Sequence, residues 1–132
     1  MTALPQDLRF ALAICVGACV GALLRWRLGV WLNQPGAWMP WGTLTANWVG
    51  ALVIGVCIGI FELRTDLDPA WRMFWITGLL GALTTFSSFS AEVIAMLQDG
   101  RLARALATTS LHLAGSLLLT WVGLQGVRRI LS

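Results

Sequence analysis

The sequence predicts an all-α integral membrane protein built from four transmembrane helices. Of its 132 residues, 58% are hydrophobic and 11% are charged, whereas soluble domains carry about 25% charged residues. Four predominantly apolar runs lie at about residues 8–32, 42–61, 71–97 and 102–127. Each is long enough for the roughly 20 residues that a helix needs to cross a bilayer. We therefore expect residues 1–132 to form a single four-helix membrane domain.

The first span carries the pattern Gly17-x-x-x-Gly21. Glycines spaced four apart lie on one helix face and allow another helix to pack closely against it. Arg25 follows near the end of the span, next to Trp26. Two interpretations of Arg25 are open at this point. Its side chain extends to the lipid headgroups, or it has a structural or anion-attracting role.

The second span contains an amide side chain, Asn47, in a mostly apolar stretch. An amide embedded in hydrocarbon must find hydrogen-bond partners, and it offers two donor hydrogens and an acceptor oxygen. Asn47 therefore forms either an interhelical hydrogen bond or part of a polar site within the membrane.

The third span holds a cluster of hydroxyl groups at its midpoint. Five of the seven residues at 84–90 are threonine or serine, and the other two are Phe86 and Phe89. Each polar group costs free energy in hydrocarbon unless a partner satisfies it. The cluster therefore indicates either contacts between helices or a transport pathway. Because Gly78 and Gly81 come just before the cluster, we expect this long helix to be broken near its midpoint.

The fourth span carries a polar stripe along an otherwise apolar helix. Thr108, His112, Ser116 and Thr120 recur every four residues, so they lie on one helical face. A stripe of this length is harder to explain by helix packing than a single serine would be. His112 is either a buried histidine whose nitrogens are satisfied by neighbours or a member of a polar pathway.

The arginines show almost no sidedness. A chain with four spans has both termini on one side of the membrane, and that side carries five arginines, namely Arg9, Arg64, Arg72, Arg128 and Arg129. The opposite side carries four, namely Arg25, Arg27, Arg101 and Arg104. Orientation follows the asymmetry of positive charge between the two sides. A chain so evenly balanced can insert both ways round, which predicts an antiparallel homodimer with dual topology.

Several classes of function are disfavoured by the composition. A net charge of +3 without a basic stripe argues against a nucleic-acid partner. No acid lies beside His112 and the serines to orient an imidazole for catalysis, so we do not expect an enzyme. The three cysteines lie inside apolar segments without a C-x-x-C pair, and we interpret them as small apolar residues.

Three motifs, in order along the chain, resemble the signatures of the Fluc (CrcB) fluoride channel family. They are GACVGALLRW at residues 17–26, GTLTANWVG at residues 42–50 and GLLGALTTFSSFS at residues 78–90. The resemblance covers three of the four helices by motif and the whole chain by length and number of spans. The chain departs from common members at Thr108, where a tyrosine is frequent, and at His112, which is also a variable position.

The resemblance implies a dual-topology antiparallel dimer that passes fluoride passively and prefers it to chloride. In the cell inner membrane, such a multi-pass channel would export cytoplasmic fluoride and so relieve fluoride toxicity. The resemblance also implies a structural sodium ion at the dimer centre, held by backbone carbonyls that match Gly81 and Thr84. Phe86 and Phe89 would line the pore and Asn47 would meet the ion. The supporting polar positions would be Ser87, Ser88, Thr43, Thr108, His112 and Ser116.

Two rival functions remain. A small multidrug-type exporter also has four short helices, but it exchanges protons for cationic compounds at a glutamate embedded in its first helix. Here the first span has no acid after Asp7. A non-transporting assembly subunit would need neither the polar stripe nor the broken helix.

Overall fold

The computed structural model describes residues 4–131, and this part of the chain contains four helices long and apolar enough to cross a membrane. They are the first span, Gln6–Leu32, the second, Trp41–Leu63, the third, Pro69–Gln98, and the fourth, Leu102–Leu131. An all-helical membrane fold is therefore confirmed. The described residues show one protomer, so the predicted dimer stays a prediction.

The third span is interrupted at Thr84 and Thr85. Helical segments at Pro69–Arg72, Met73–Leu80 (a π-helix) and Gly81–Leu83 precede the break, and an α-helix at Phe86–Gln98 follows it. Thr84 has a ψ of 154° and Thr85 a φ of −152°, so both are extended. The predicted break near the midpoint is present, but it falls at the two threonines. Gly78 and Gly81, which precede it, remain helical.

Glycines bring the first and third spans into close contact. Gly17 and Gly21 are buried. A side-chain carbon at Gly17 would overlap the backbone of residues 74–79, and one at Gly21 would overlap the backbone of Leu79. Gly78 faces Gly17 from the third span, where added carbon would meet Ile14 O at 2.7 Å. Glycine spacing in the first span therefore specifies the position of the helix that contains the break.

The second and fourth spans pack together in the same way. Added carbon at Gly55 would overlap the backbone at Thr120, and added carbon at Gly123 would overlap the backbone of residues 52–56. The Thr120 hydroxyl donates a hydrogen bond to the Ala51 carbonyl at 3.0 Å. Close backbone contact and a hydroxyl bond across the interface are typical of helix pairs in membranes.

The fourth span changes its winding at the polar stripe. It is α-helical at Leu102–Ser110, π-helical at Leu111–Gly115 and α-helical again at Ser116–Leu131. The Trp48 indole N–H donates to the Leu111 carbonyl at 2.9 Å, and the absence of a side chain at Gly115 leaves room for the Trp48 ring. Short π-helical turns occur frequently at functional sites, and this one contains His112.

Polar contacts organise the connections between spans. Gly36 and Gly100 have φ values of 81° and 72°, a backbone conformation that favours glycine. Asp68 caps the third span by accepting a hydrogen bond from the Ala70 N–H at 2.9 Å, and it pairs with Arg9. The Ala70 N–H and the Arg9 guanidinium hold the pKa of the Asp68 carboxyl below its ordinary value.

Candidate functional site

Asn47 connects the second span to the break in the third. Its Oδ1 accepts a hydrogen bond from the Thr85 N–H at 2.7 Å, and its Nδ2 donates to the Thr85 carbonyl at 3.1 Å. The two backbone groups of Thr85 together determine which way the amide points, since an N–H must meet the oxygen and a carbonyl must meet the nitrogen. Asn47 thus satisfies the Thr85 N–H, which the break would otherwise leave unpaired in the membrane.

The second hydrogen of the Asn47 amide is directed at the fourth span. Asn47 Nδ2 lies 3.0 Å from His112 Nδ1. One face of the imidazole contacts the third span, because the His112 and Phe89 rings stack with centroids 4.6 Å apart and planes 29° apart. His112 is only 4% exposed. Three of the four spans therefore meet at one small polar cluster.

Several predicted site residues line one cavity of about 420 Å³, which we call the phenylalanine cavity. No residue lining it carries a formal charge when His112 is neutral. The polar residues of its wall are Asn47, Thr84, Thr85, His112, Ser116 and Thr120. The remaining wall is apolar or glycine, and it includes Gly81, Phe86 and Phe89.

Phe86 and Phe89 differ in burial although both line this cavity. Their rings meet edge to face, with centroids 5.4 Å apart and planes 65° apart. Phe89 is 7% exposed, whereas Phe86 is 73% exposed in the protomer. Phe89 is held by its contact with His112, and Phe86 lies on the outer surface.

The polar stripe of the fourth span divides at His112. His112, Ser116 and Thr120 line the phenylalanine cavity, but Thr108 does not. Thr108 is fully buried, and its hydroxyl contacts the Met96 sulfur at 3.5 Å. The structure therefore brings three members of the stripe to one cavity and uses the fourth in packing between helices.

The other predicted polar residues surround a second cavity of about 610 Å³, which we call the arginine cavity. Arg25, Thr43, Ser87, Ser88 and Glu92 face it, and Thr85 lines both this cavity and the phenylalanine cavity. Arg25 is half-buried, and none of the hydrogen bonds or ion pairs found within residues 4–131 involves its guanidinium. Its position at the cavity favours an anion-attracting role over contact with headgroups alone.

Glu92 and Thr85 belong to the site but were not predicted as site residues. The Thr43 hydroxyl donates to Glu92 Oε1 at 2.5 Å and faces the Asn33 amide at 3.3 Å. The Thr85 hydroxyl accepts from the Ser88 N–H at 3.1 Å and donates to the Ser88 hydroxyl at 3.0 Å. Threonine is a favoured residue at the position just before a helix, where its hydroxyl accepts a hydrogen bond from the N–H three residues later. The presence of Thr85 in the hydroxyl cluster could therefore have identified it as a helix cap.

The carbonyls of Gly81 and Thr84 lose their usual helical partners at the break. In a continuous helix, the Thr85 N–H would donate to Gly81, and the Ser88 N–H would donate to Thr84. The Thr85 N–H donates to Asn47 Oδ1 instead, and the Ser88 N–H donates to the Thr85 hydroxyl. These two carbonyl oxygens fit a cation that prefers oxygen ligands.

The arrangement suits the passage of a small anion better than catalysis. Neutral N–H and O–H donors can replace the hydration shell of an anion without the charge that would hold it in place. The positive ring edges of phenylalanine add to these donors. Within residues 4–131, no three His, Cys, Asp or Glu side chains are grouped as metal ligands.

Comparisons with known proteins agree with this chemistry. A family model described as CrcB-like protein, Camphor Resistance (CrcB), matches residues 12–124. A protein from Variovorax paradoxus named fluoride-specific ion channel FluC is 58% identical over 119 residues, which cover 90% of this chain and 94% of the relative. Proteins of the same name from Albidiferax ferrireducens and Pseudomonas aeruginosa are 59% and 52% identical; the alignments cover 86% of this chain in both cases and 87% and 89% of the relatives.

Proposed function

The chain belongs to the CrcB family, and from this premise we propose that it is a membrane channel that passes fluoride passively. The observation that carries the proposal is the uncharged, donor-bearing wall of the phenylalanine cavity beside the broken helix. The names of the relatives support fluoride as the transported ion. They do not favour a proton-coupled exporter of cationic compounds.

Fluoride is small and strongly hydrated, so the protein must offer donors in place of water. His112 and Ser116 supply N–H and O–H groups along the fourth span, and Phe86 and Phe89 line the same cavity from the third. Binding must be favourable enough for entry and weak enough for release. A row of neutral donors meets both requirements better than a fixed positive charge does.

Arg25 would raise the local concentration of anions before they reach the narrow region. A positive side chain in a cleft with low-dielectric walls attracts anions. Ser87 and Ser88 face the same cavity and extend the series of hydroxyl donors to Thr85. The proposed route therefore runs from the arginine cavity, past Thr85, into the phenylalanine cavity. Thr43 also lines the arginine cavity, whereas Thr108 packs against Met96 and lines neither cavity.

An antiparallel homodimer accounts for surfaces that one protomer leaves uncovered. Phe86 is 73% exposed, and Gly81 is also exposed, although both belong to the proposed site. A second protomer would cover them and close the phenylalanine cavity. The near balance of five against four arginines fits a chain that inserts in both orientations.

A sodium ion at the centre of such a dimer would be structural rather than transported. The residues fit it, because the carbonyls of Gly81 and Thr84 have lost their helical donors. The ion would supply positive charge near the anion route. Asn47 and the Thr85 hydroxyl stabilise the backbone at the break. We place this channel in the cell inner membrane, where it would let cytoplasmic fluoride leave and relieve its toxicity.

Fluoride efflux from liposomes tests the proposal. Vesicles that contain the purified protein and are loaded with potassium fluoride should release fluoride rapidly, as read with a fluoride electrode, once a potassium ionophore is added to carry the compensating charge. Vesicles loaded with potassium chloride should not release chloride under the same conditions. Collapsing the proton gradient should leave the rate unchanged. Efflux that required a proton gradient would support the exporter instead. Retention of fluoride by vesicles with well-folded protein would reject the channel.

Tag accessibility tests the assembly. A protease-cleavable tag on the C-terminus should be cut in about half of the molecules in right-side-out vesicles, as dual topology requires. Cleavage of all molecules or of none would contradict the antiparallel dimer.

A further inference from the structure

We propose that the Nε2–H of His112 is the hydrogen-bond donor that this chain presents to the anion, and that Asn47 is the positioning residue that keeps the proton on Nε2. The identity of the anion rests on the proposed function. The assignment goes beyond it by naming one atom and one tautomer.

The first step concerns the donors of Asn47. The amide nitrogen carries two hydrogens. One is directed at the Thr85 carbonyl at 3.1 Å, and the other at His112 Nδ1 at 3.0 Å. Its oxygen already accepts from the Thr85 N–H at 2.7 Å. All the hydrogens of Asn47 are therefore used within the protein, and the side chain has no N–H left for an ion in this conformation.

The second step concerns the proton on the imidazole. Since Asn47 Nδ2 is a donor, the nitrogen facing it must be an acceptor, so His112 Nδ1 carries no proton. A neutral imidazole then carries its proton on Nε2. The hydrogen bond made by one ring nitrogen thus determines what the other nitrogen offers.

The third step concerns the unused donor. Within residues 4–131, Nε2 of His112 is buried and has no hydrogen-bond partner. Leaving a buried donor unsatisfied is costly, and such groups are rare in folded proteins. His112 lines the phenylalanine cavity, so an acceptor that entered this cavity and displaced the groups covering Nε2 would complete the bond.

Burial of the donor also bears on the class of ligand. An ion that reaches Nε2 must have shed its water on that side, because His112 is only 4% exposed and is stacked against Phe89. A small, strongly accepting anion gains most from such a donor, whereas a larger halide is hindered by the ring contacts. His112 would therefore contribute to selectivity as well as to binding.

Nitrogen NMR of the protein in lipid bilayers tests this assignment. His112 is the single histidine of the chain, so ¹⁵N-histidine labelling reports on one residue. We expect an unprotonated Nδ1, a protonated Nε2, and a dipolar contact between Nε2–H and ¹⁹F after fluoride addition but not after chloride addition. A proton on Nδ1 would overturn the proposal. An Nε2 signal that does not change when fluoride is added would also overturn the proposal, provided that the same liposomes release fluoride. A site filled with water would give that result.

Replacing the positioning residue gives a second, independent readout. Asn47→Asp turns residue 47 into an acceptor, so the His112 proton should move to Nδ1, or both nitrogens should become protonated. An unchanged tautomer in this variant would show that Asn47 does not determine it. A packing role alone would not shift the proton, so this signature separates positioning from structural support.

Flux measurements complete the test. His112→Phe keeps a flat ring but removes both nitrogens, and it should lower fluoride efflux roughly ten- to hundredfold. His112→Gln restores an N–H and should recover part of the rate. Thr109→Ala is the control, because Thr109 is on the same helix and, among residues 4–131, its hydroxyl donates to the Ala105 carbonyl one turn earlier. Equal rates for His112→Phe and the unmodified protein would refute the donor assignment. Absence of fluoride efflux from the unmodified protein would instead reject the proposed function.

Discussion

The phenylalanine cavity and the arginine cavity meet at Thr85, but they hold different kinds of polar group. Arg25 and Glu92 give the arginine cavity a formal charge of each sign. The phenylalanine cavity has amide, imidazole and hydroxyl groups and no formal charge when His112 is neutral. Charges act at a distance and attract ions, whereas neutral donors act only on contact. We propose on this basis that Arg25 attracts anions to the one cavity and that the neutral donors of the other transmit them.

The largest expected effect comes from placing a negative charge in the phenylalanine cavity, beside Thr85. Asn47→Asp removes the N–H groups that face Thr85 and His112, and it puts an anion where an anion must pass. Fluoride efflux should fall roughly hundredfold, measured per molecule of correctly assembled protein. Gln34→Glu makes the same chemical change at an exposed position between spans and should have little effect. Unchanged efflux in Asn47→Asp would remove Asn47 from the route.

A smaller loss is expected from replacing the two rings of the phenylalanine cavity. The double variant Phe86→Ile and Phe89→Ile should keep its assembly state but lose about tenfold in fluoride efflux, because it removes the positive ring edges that would face the anion. Of the single variants, Phe89→Ile should be the more damaging, since Phe89 also stacks on His112. Normal conduction in the double variant would show that ring edges do not contact the ion.

The arginine cavity should respond more weakly and in a salt-dependent way. Arg25→Gln should lower efflux roughly threefold at low ionic strength, and the difference should shrink as salt screens the charge. Arg27→Gln is the matched control, because Arg27 packs over the Trp31 ring at 4.6 Å and does not line the cavity. A salt-independent loss in Arg25→Gln would indicate a structural role and weaken the contrast between the cavities.

The smallest effect is expected in a region remote from both cavities. Asp68→Asn keeps a cap for the Ala70 N–H but removes the charge that faces Arg9. Because folding lowers the pKa of Asp68 from 3.8, its charged form stabilises the fold above about pH 3.8, and this contribution is lost as the pH falls through the lowered value. The variant should melt slightly earlier at pH 7, the difference should shrink as the pH falls below 3.8, and conduction should be normal. A large loss of fluoride efflux would show that the contact between Asp68 and Arg9 affects the proposed fluoride route.

Much of the fold could be predicted because hydrophobic runs and glycine spacing are local patterns. The four spans follow from run length, and the Gly17 and Gly21 contacts follow from their spacing. The exact position of the break did not follow. Gly78 and Gly81, followed by the hydroxyl cluster, were expected to mark it. Helix contacts account for Gly78, and the break lies within the cluster, where Asn47 of another span accepts a hydrogen bond from the Thr85 N–H.

The candidate site could be predicted only in part, for the same physical reason. Residue types identified Asn47, Phe89 and His112 one by one, but their contact depends on the packing of three spans. The spacing of Thr108 placed it on the same face as His112, yet Met96 covers it in the structure. Contacts with residues distant in the sequence determine which polar side chains reach a cavity. The spacing of residues along one helix does not reveal those contacts.

The most direct test of fluoride conduction through this protein is the zero-current potential across a planar bilayer, with fluoride on both sides at unequal concentrations and a pH difference imposed separately. The account predicts a potential that follows the fluoride gradient, hardly changes when chloride is added to one side, and ignores the pH difference. A potential that followed the chloride, cation or proton gradient would contradict a passive fluoride channel.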